Sequence, residues 1–557
     1  MFNAVHVFQT PEVRGRGHTV FSHLQLGGKM LTVVTRQPFG QEGRNTTRIP
    51  AIITTVVLAV SIVVLVILTF VQAFHKVVVS PEPKHGIVLD AGSTRTTFYV
   101  YQWPAEKENN TGVVSETFRC EVKGPGIAAY SRYPENIPRA FDECTKKVQE
   151  HIPAHFHNST QLYLGATAGM RLLSLQNETA SNQILVTIKN YFKSQPFDFR
   201  SAQIISGEDE GLYGWITVNY LMGHFLEKNL WNMWVHPNGV ETTGALDLGG
   251  ASTQISYVPE EQMPPNTNDS IQVSLYGYKY TLYTHSFQCY GRMEAERKLH
   301  AKLFQEFPHK GNVQNPCYPR NYRHKFTLRE IFDSACTTDM RPDNYNPDAT
   351  VVLEGTGDPF NCSKKVASLF DFKACDGKEN CSFNGVYQPK LKGSFGAFAG
   401  FYYTASTFNL SDSFPLKTFN SSTWDFCSKE WSQLPDLLPH FDETYARSQC
   451  FSAHYVYHLL INGYKFTKET WPKIRFIKEV ANSSIAWSLG YMLALTNQIP
   501  ATSPLIRMAL PRHIFVGIMV FFATMTFMCL LFLVYLYVLA KKMSSSQVAF
   551  NSPMNSA

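Results

Sequence analysis

Two stretches of this chain carry residue types that can hold a phosphate. Gly86–Tyr101 reads GIVLDAGSTRTTFYVY and Gly244–Val258 reads GALDLGGASTQISYV. Each runs from an apolar strand into Asp, one residue, Gly, a small polar loop, and a second strand rich in β-branched and aromatic residues. Glycine lets backbone N–H groups close on phosphate oxygens, and Ser and Thr hydroxyls add donors. The aspartates at the strand ends, Asp90 and Asp247, can hold a hydrated cation that neutralises the phosphates. One Asp-x-Gly hairpin is ordinarily just a turn. Two copies point to duplicated lobes with a phosphate chain clamped between their tips. No G-x-x-x-x-G-K-[ST] sequence is present, which excludes a P-loop on motif grounds.

Two further segments offer a base and a close backbone approach. Leu164–Arg171 (LGATAGMR) is a strand end, a Gly/Ala/Thr turn and an arginine opening a helical stretch. Ile204–Ile216 (IISGEDEGLYGWI) sets Glu208, Asp209 and Glu210 after a strand and before an aromatic-rich helix. Three such acids ordinarily stabilise a solvated helix N-terminus. Their place between Gly207 and Gly211 also lets a carboxylate reach a ligand and activate water as a general base.

Positioning two such tips takes two lobes, and 557 residues are too many for one core. Ala51–Phe74 and Ile514–Ala540 carry no charge and are long enough to span a bilayer. Arg36, Arg44 and Arg48 before the first and Lys541 and Lys542 after the second put both termini in the cytoplasm. The segment between the spans is then extracellular. It holds ten of the eleven cysteines, an even number that suits an oxidising compartment, while Cys529 lies inside the second span. It also holds nine N-x-S/T sequons, at Asn109, Asn158, Asn177, Asn268, Asn361, Asn380, Asn409, Asn420 and Asn482, as a glycosylated ectodomain would. The net charge of +6 is spread without a basic run, so no nucleic-acid partner is expected. The leader is unpatterned, and the polar tail Met543–Ala557 is expected to be disordered.

At these residues the chain resembles the ecto-nucleoside triphosphate diphosphohydrolase, or apyrase, family, and within it the type-three branch. Five motifs carry the likeness in order: DAGSTRT (Asp90–Thr96), GATAGMR (Gly165–Arg171), SGEDEGLYGW (Ser206–Trp215), ALDLGGASTQ (Ala245–Gln254) and SSIAWSLGYM (Ser483–Met492). The likeness covers the ectodomain and both spans, and Met30 resembles the usual start. It implies an α/β, two-lobe actin/hexokinase/Hsp70-like (ribonuclease H-like) ectodomain between two transmembrane helices. The segments expected are a cytoplasmic 1–50, a span at 51–74, lobe I at 75–206 and lobe II at 207–477. A return to lobe I at 478–512, a span at 513–540 and a cytoplasmic tail at 541–557 complete the chain.

The resemblance also implies roles. Glu210 is the catalytic base, and Ser252 and Gln254 hold the attacking water. Asp90 and Asp247, with Thr167 and Trp487 nearby, bind the water shell of Ca²⁺ or Mg²⁺. Ser93, Thr94, Gly249, Gly250 and Ala251 bind phosphate, and Tyr403 stacks on the base. Relatives carry a second aromatic just before Cys450, where this chain has Gln449. The implied disulfides are Cys120–Cys144, Cys289–Cys336, Cys317–Cys362, Cys375–Cys381 and Cys427–Cys450. The implied reaction is hydrolysis of extracellular ATP, ADP, UTP and UDP at the plasma membrane, regulating purinergic signalling. Homo-oligomers in the lipid through the spans are implied too, with Ala59, Ser61, Ala523 and Thr526 able to pack helices.

Two rival readings share parts of this pattern. An ATP-gated channel has the same two-span topology, but these spans hold no charged residue to line a pore, and the Asp–Gly repeat has no purpose there. A nucleotide-binding adhesion protein would have no use for a base at Glu210.

Overall fold

The computed structural model describes residues 21–26, 29–34, 45–74, 76–79, 82–230, 233–264, 269–307, 311–438, 443–501, 505–508, 510 and 512–550. The chain forms two units, Ser80–Pro504 and the terminal segments Met1–Val79 with Leu505–Ala557.

In Ser80–Pro504 the repeat seen in the sequence becomes a repeat of topology. Strands β1 (Lys84–Ala91), β2 (Thr96–Trp103), β3 (Ser115–Glu121), β4 (Gln161–Ala166) and β5 (Asp198–Ile204) form one sheet in the order β3-β2-β1-β4-β5. Strands β6 (Gly244–Leu248), β7 (Ser252–Tyr257), β8 (Ser270–Leu275), β9 (Tyr278–Gln288), β10 (Phe395–Ala399) and β11 (Ile474–Phe476) form another, in the order β8-β9-β7-β6-β10-β11. In the first, β1 is antiparallel to β2 and parallel to β4. In the second, β6 is antiparallel to β7 and parallel to β10. The flanking pairs β2–β3 and β7–β9 are antiparallel, and β4–β5 and β10–β11 are parallel. Five strands thus repeat, and β8 is an added edge.

The central strands are apolar on both faces because both are covered. Along β1, Ile87 and Leu89 enter a core with Ile184, Ile188 and Phe192. Val88, pointing the other way, enters a second core with Trp215, Phe398 and Trp487. That second core takes residues from both sheets and lies around two helices, α2 (Gly207–Leu221) and α6 (Trp487–Thr496). Helix α2 leaves the first sheet after β5 and packs on β6, β7 and β9. Helix α6 packs on β1, β2 and α2. Between them in the chain, α3 (Arg292–Glu306), α4 (Gly400–Ser406) and α5 (Glu443–Tyr457) belong to the largest core, beneath the second sheet. Helix α1 (Ala168–Gln176) follows β4.

Five disulfides join Cys120 to Cys144, Cys289 to Cys336, Cys317 to Cys362, Cys375 to Cys381 and Cys427 to Cys450. Cys529 is not in a disulfide. Among the sequons, Asn109, Asn158, Asn177, Asn361, Asn409 and Asn482 are exposed and Asn380 and Asn420 half-buried. Asn268 lies outside the described residues.

In the terminal unit, helices Asn45–Phe74 and Arg512–Phe550 pack together. Their segments Arg48–Gln72 and His513–Lys542 are long and apolar enough to cross a membrane. Strand Lys76–Val79 pairs antiparallel with Leu505–Met508. The Gln72 amide closes the ribbon, donating to Leu510 O and accepting from Leu510 N, both at 3.1 Å. Of the four small or polar residues noted in the spans, Ser61 is buried, Thr526 half-buried, and Ala59 and Ala523 exposed.

Two expectations need correction. The tail is helical as far as Phe550, because residues 541–550 contain neither Gly nor Pro and propagation costs little once a helix exists. The leader contains a hairpin, Phe21–Leu26 against Lys29–Val34. The intervening Gly27-Gly28 is a pair suited to a two-residue turn.

Candidate active site

Both Asp–Gly loops lie at equivalent strand tips, Asp90 facing Thr97 across β1–β2 and Asp247 facing Gln254 across β6–β7. The two loops meet. A Cβ added at Gly250 would stand 2.5 Å from Ser93 Oγ and 3.0 Å from Thr94 Cγ2, so only glycine lets them approach this closely. The amides of Gly92, Ser93, Thr94, Arg95, Gly250 and Ala251 donate to no backbone carbonyl among the described residues. They are available to an anion. The second loop is held from behind by α3, whose Arg292 and Met293 amides donate to Gly249 O and Gly250 O at 2.9 Å.

The loops enclose a cavity of about 170 Å³. Asp90, Asp247, Ser93, Thr94, Gly249, Gly250, Ala251, Ser252, Thr167, Glu210 and Trp487 all line it, so the structure brings these sequence candidates together. Gln254 sits just behind this wall, buried. Tyr403 stands apart, in an adjoining cavity of about 440 Å³. The two cavities share Thr94, Arg95, Gly249, Gly250 and Ala399.

Glu210 is placed by the start of α2. Ser206 caps that helix, its hydroxyl accepting from Asp209 N at 2.9 Å. Glu208 and Asp209 are half-exposed on the first turn, whereas Glu210 turns inward and is 7% exposed. Its Oε2 accepts from Arg171 Nη2 at 2.8 Å and from Gln254 Nε2 at 3.1 Å. No described residue bonds its Oε1. Gln254 Nε2 also reaches Ser252 Oγ at 2.8 Å and Ser286 Oγ at 2.9 Å, while Gln254 Oε1 is buried with no donor among the described residues. Ser252 Oγ accepts a further bond from Arg171 Nη2 at 3.1 Å. Its own O–H is therefore left to donate.

In the sequence Arg171 is only an arginine opening a helix. In the fold it crosses from α1 to the second sheet, donating through Nε to Gln288 Oε1 at 3.1 Å and through Nη1 to Ile205 O at 2.9 Å. Ser286, Arg95 and Ala399 also escaped notice. Arg95 lies beside Tyr403 on the wall of the larger cavity. Ala399, at the tip of β10, has φ of 51°, a conformation that favours glycine and that clusters at functional sites.

Charge in the small cavity is out of balance. Burial raises Asp90 to about 7; the Trp487 indole N–H and Arg95 pull it down, and the charge of Glu210 pushes it up. Asp247 is raised well above the ordinary carboxylate range by burial and then by the charges of Glu210 and Asp90. Burial raises Glu210 as well, opposed by the charge and hydrogen bond of Arg171. The Trp487 N–H has no partner at full hydrogen-bond geometry, though it faces Asp90 closely enough to lower its pKa. Gly165 makes room for that indole, since a Cβ there would lie 2.3 Å from Trp487 Cη2. Two mutually repelling buried carboxyls fit a hydrated divalent cation, whose shell waters donate outward to them.

Known proteins resemble this chain in sequence and fold. The sequence profile of the GDA1/CD39 (nucleoside phosphatase) family matches residues 76–508. The chain is 65% identical over 528 residues to ectonucleoside triphosphate diphosphohydrolase 3 of Homo sapiens, an alignment covering 95% of this chain and 100% of that protein. It is 44% identical to ectonucleoside triphosphate diphosphohydrolase 8 of Gallus gallus, over 75% of this chain and 84% of that one. In fold it is similar to a nucleoside triphosphate hydrolase from Neospora caninum, with a TM-score of 0.51 at 14% identity, over 75% of this chain and 92% of that one.

Proposed function

The chain belongs to the GDA1/CD39 (nucleoside phosphatase) family, and from that premise we propose that it removes the terminal phosphate from extracellular nucleoside tri- and diphosphates, ATP, ADP, UTP and UDP among them. The observation that carries this reading is a buried carboxylate, Glu210, with one oxygen tied and the other open, in a cavity walled by two loops of unpaired amides.

The attacking water donates one hydrogen to Glu210 Oε1 and accepts the Ser252 O–H, while Gln254, behind the wall, holds both groups through its Nε2. The remaining lone pair then points at a terminal phosphorus held by the loops. Attack is in line, Glu210 takes the proton, and the loop amides stabilise the equatorial oxygens. Catalysis is positioning and charge stabilisation, with no covalent phosphoenzyme. Asp90 and Asp247, with Thr167 and Trp487 nearby, hold Ca²⁺ or Mg²⁺ through its water shell. The bound cation supplies charge neutralisation for the phosphate oxygens. Tyr403 stacks on the base in the larger cavity.

Ser80–Pro504 faces the cell exterior, both termini are cytoplasmic, and the two apolar helices anchor the chain in lipid and mediate homo-oligomers. The sequons carry glycans. By lowering extracellular nucleotide the chain regulates purinergic signalling.

The test is Glu210→Gln in intact cells, with phosphate release measured from ATP and ADP. Turnover is expected to fall by roughly 10²–10⁴-fold, the usual worth of a general base, with nucleotide still bound. Near-normal turnover removes Glu210 from the reaction.

A further inference from the structure

The larger cavity has a polar reader on its wall. We infer that Gln449 makes this site discriminate among bases by hydrogen bonding, favouring those with an exocyclic amino group, as in cytosine or adenine, over uracil. The inference rests on the nucleotide reading above and goes beyond it.

Gln449 lies on α5 one turn after Tyr445, so the two share a helix face. Both line the cavity together with Tyr403 and Thr404 of α4. Tyr403 is 39% and Tyr445 49% exposed, which leaves ring surface for stacking. The Arg292 guanidinium lies 5.4 Å from the Tyr445 ring centroid and is anchored to Ser448 Oγ at 2.9 Å and Glu296 at 3.5 Å. Aromatic surface in this chain therefore comes from Tyr445, one turn earlier than the position where Gln449 stands.

Gln449 itself is oriented by the backbone. Its Nε2 donates to Thr404 O at 2.9 Å. That bond decides which way the amide points, because the reverse orientation would set two oxygens against each other. Oε1 takes no hydrogen bond from the described residues, yet it is not among the fully buried unpaired atoms. Gln449 is only 7% exposed, and it is one of the residues that line the cavity. An acceptor presented to the base welcomes the N4 amino group of cytosine or the N6 amino group of adenine. Uracil offers a carbonyl oxygen at the position where cytosine has its amine. Serving it requires turning the Gln449 amide over and breaking the bond to Thr404 O.

Cytosine and uracil nucleotides differ along one edge, amine against carbonyl at C4 and acceptor against N–H at N3, and an acceptor facing C4 reads the first of these. We would measure kcat/KM for CTP and UTP, read as phosphate release, on the full chain in membranes. CTP should be favoured by about three- to tenfold, the worth of one partly exposed hydrogen bond, and mainly through KM. Gln449→Leu should bring the ratio near one. Tyr445→Ala should raise KM for both nucleotides by about tenfold, with Tyr445→Phe restoring it, as loss of a stacking surface predicts. Equal kcat/KM for CTP and UTP in the native chain, or a ratio that survives Gln449→Leu, overturns the inference. The native ratio needs no variant, so it decides even where a variant fails to reach the membrane. If neither nucleotide releases phosphate, it is the hydrolase reading that fails instead.

Discussion

Replacing Arg171 by alanine should move the acid limb of the pH–rate profile upward. Glu210 must be ionised to accept a proton, so activity falls as pH drops through its pKa. Burial already raises that pKa, and Arg171 is the largest influence opposing the rise. The pair is close, 2.8 Å, and dry, with side chains 16% and 9% exposed. An opposite charge at such range favours the ionised carboxylate, so its loss should shift the limb up. Removing one partner of a buried ion pair costs about 3–5 kcal/mol, because the remaining charge is left uncompensated. At a pH one unit below the new pKa, the variant runs roughly tenfold below its own plateau. Arg171→Lys keeps the charge without the fork that also reaches Gln288 and Ser252, and should shift the limb less. The assay is kcat/KM for ATP against pH at saturating divalent cation. A uniform loss of rate with an unmoved acid limb would refute the argument, because it would mean Arg171 only supports the local structure.

Two further outcomes follow from the same cavity. Chelating external divalent cations should abolish phosphate release, and either Ca²⁺ or Mg²⁺ should restore it, since two half-buried aspartates reached through water tolerate both ionic sizes; full activity in excess chelator would rule the site out. Gly250→Ala should cost up to about 10²-fold in kcat/KM, because its methyl meets Ser93 Oγ at 2.5 Å and Thr94 Cγ2 at 3.0 Å, so Ser93 must turn out of place or the two loops must part. Unchanged kinetics in that variant would mean the loops are not apposed during turnover.

What the chain order alone determined here is local and periodic. An apolar strand, Asp-x-Gly and a β-branched strand make a hairpin wherever they occur, so both phosphate loops and the duplicated sheets could be read from two short strings. The long uncharged runs, the even cysteine count between them and the position of Glu210 between two glycines are equally local. The acidic triplet opens a helix, as such runs do, with Glu208 and Asp209 half-exposed on the first turn. Tertiary structure decided what depends on through-space pairing. Arg171 opens a helix in the first lobe, and nothing beside it in sequence announces Glu210 and Ser252 as its partners. Trp487 reaches Asp90 only because α6 returns to pack on β1, into the space left by Gly165. In the string Gln449 is only a polar residue where the family resemblance implies an aromatic, and the fold orients its amide by setting Thr404 O against it. The reason is one of range. Propensity and periodicity act within a few residues, whereas a buried charge or amide takes its state from whichever partners the packing of distant helices brings within 3 Å.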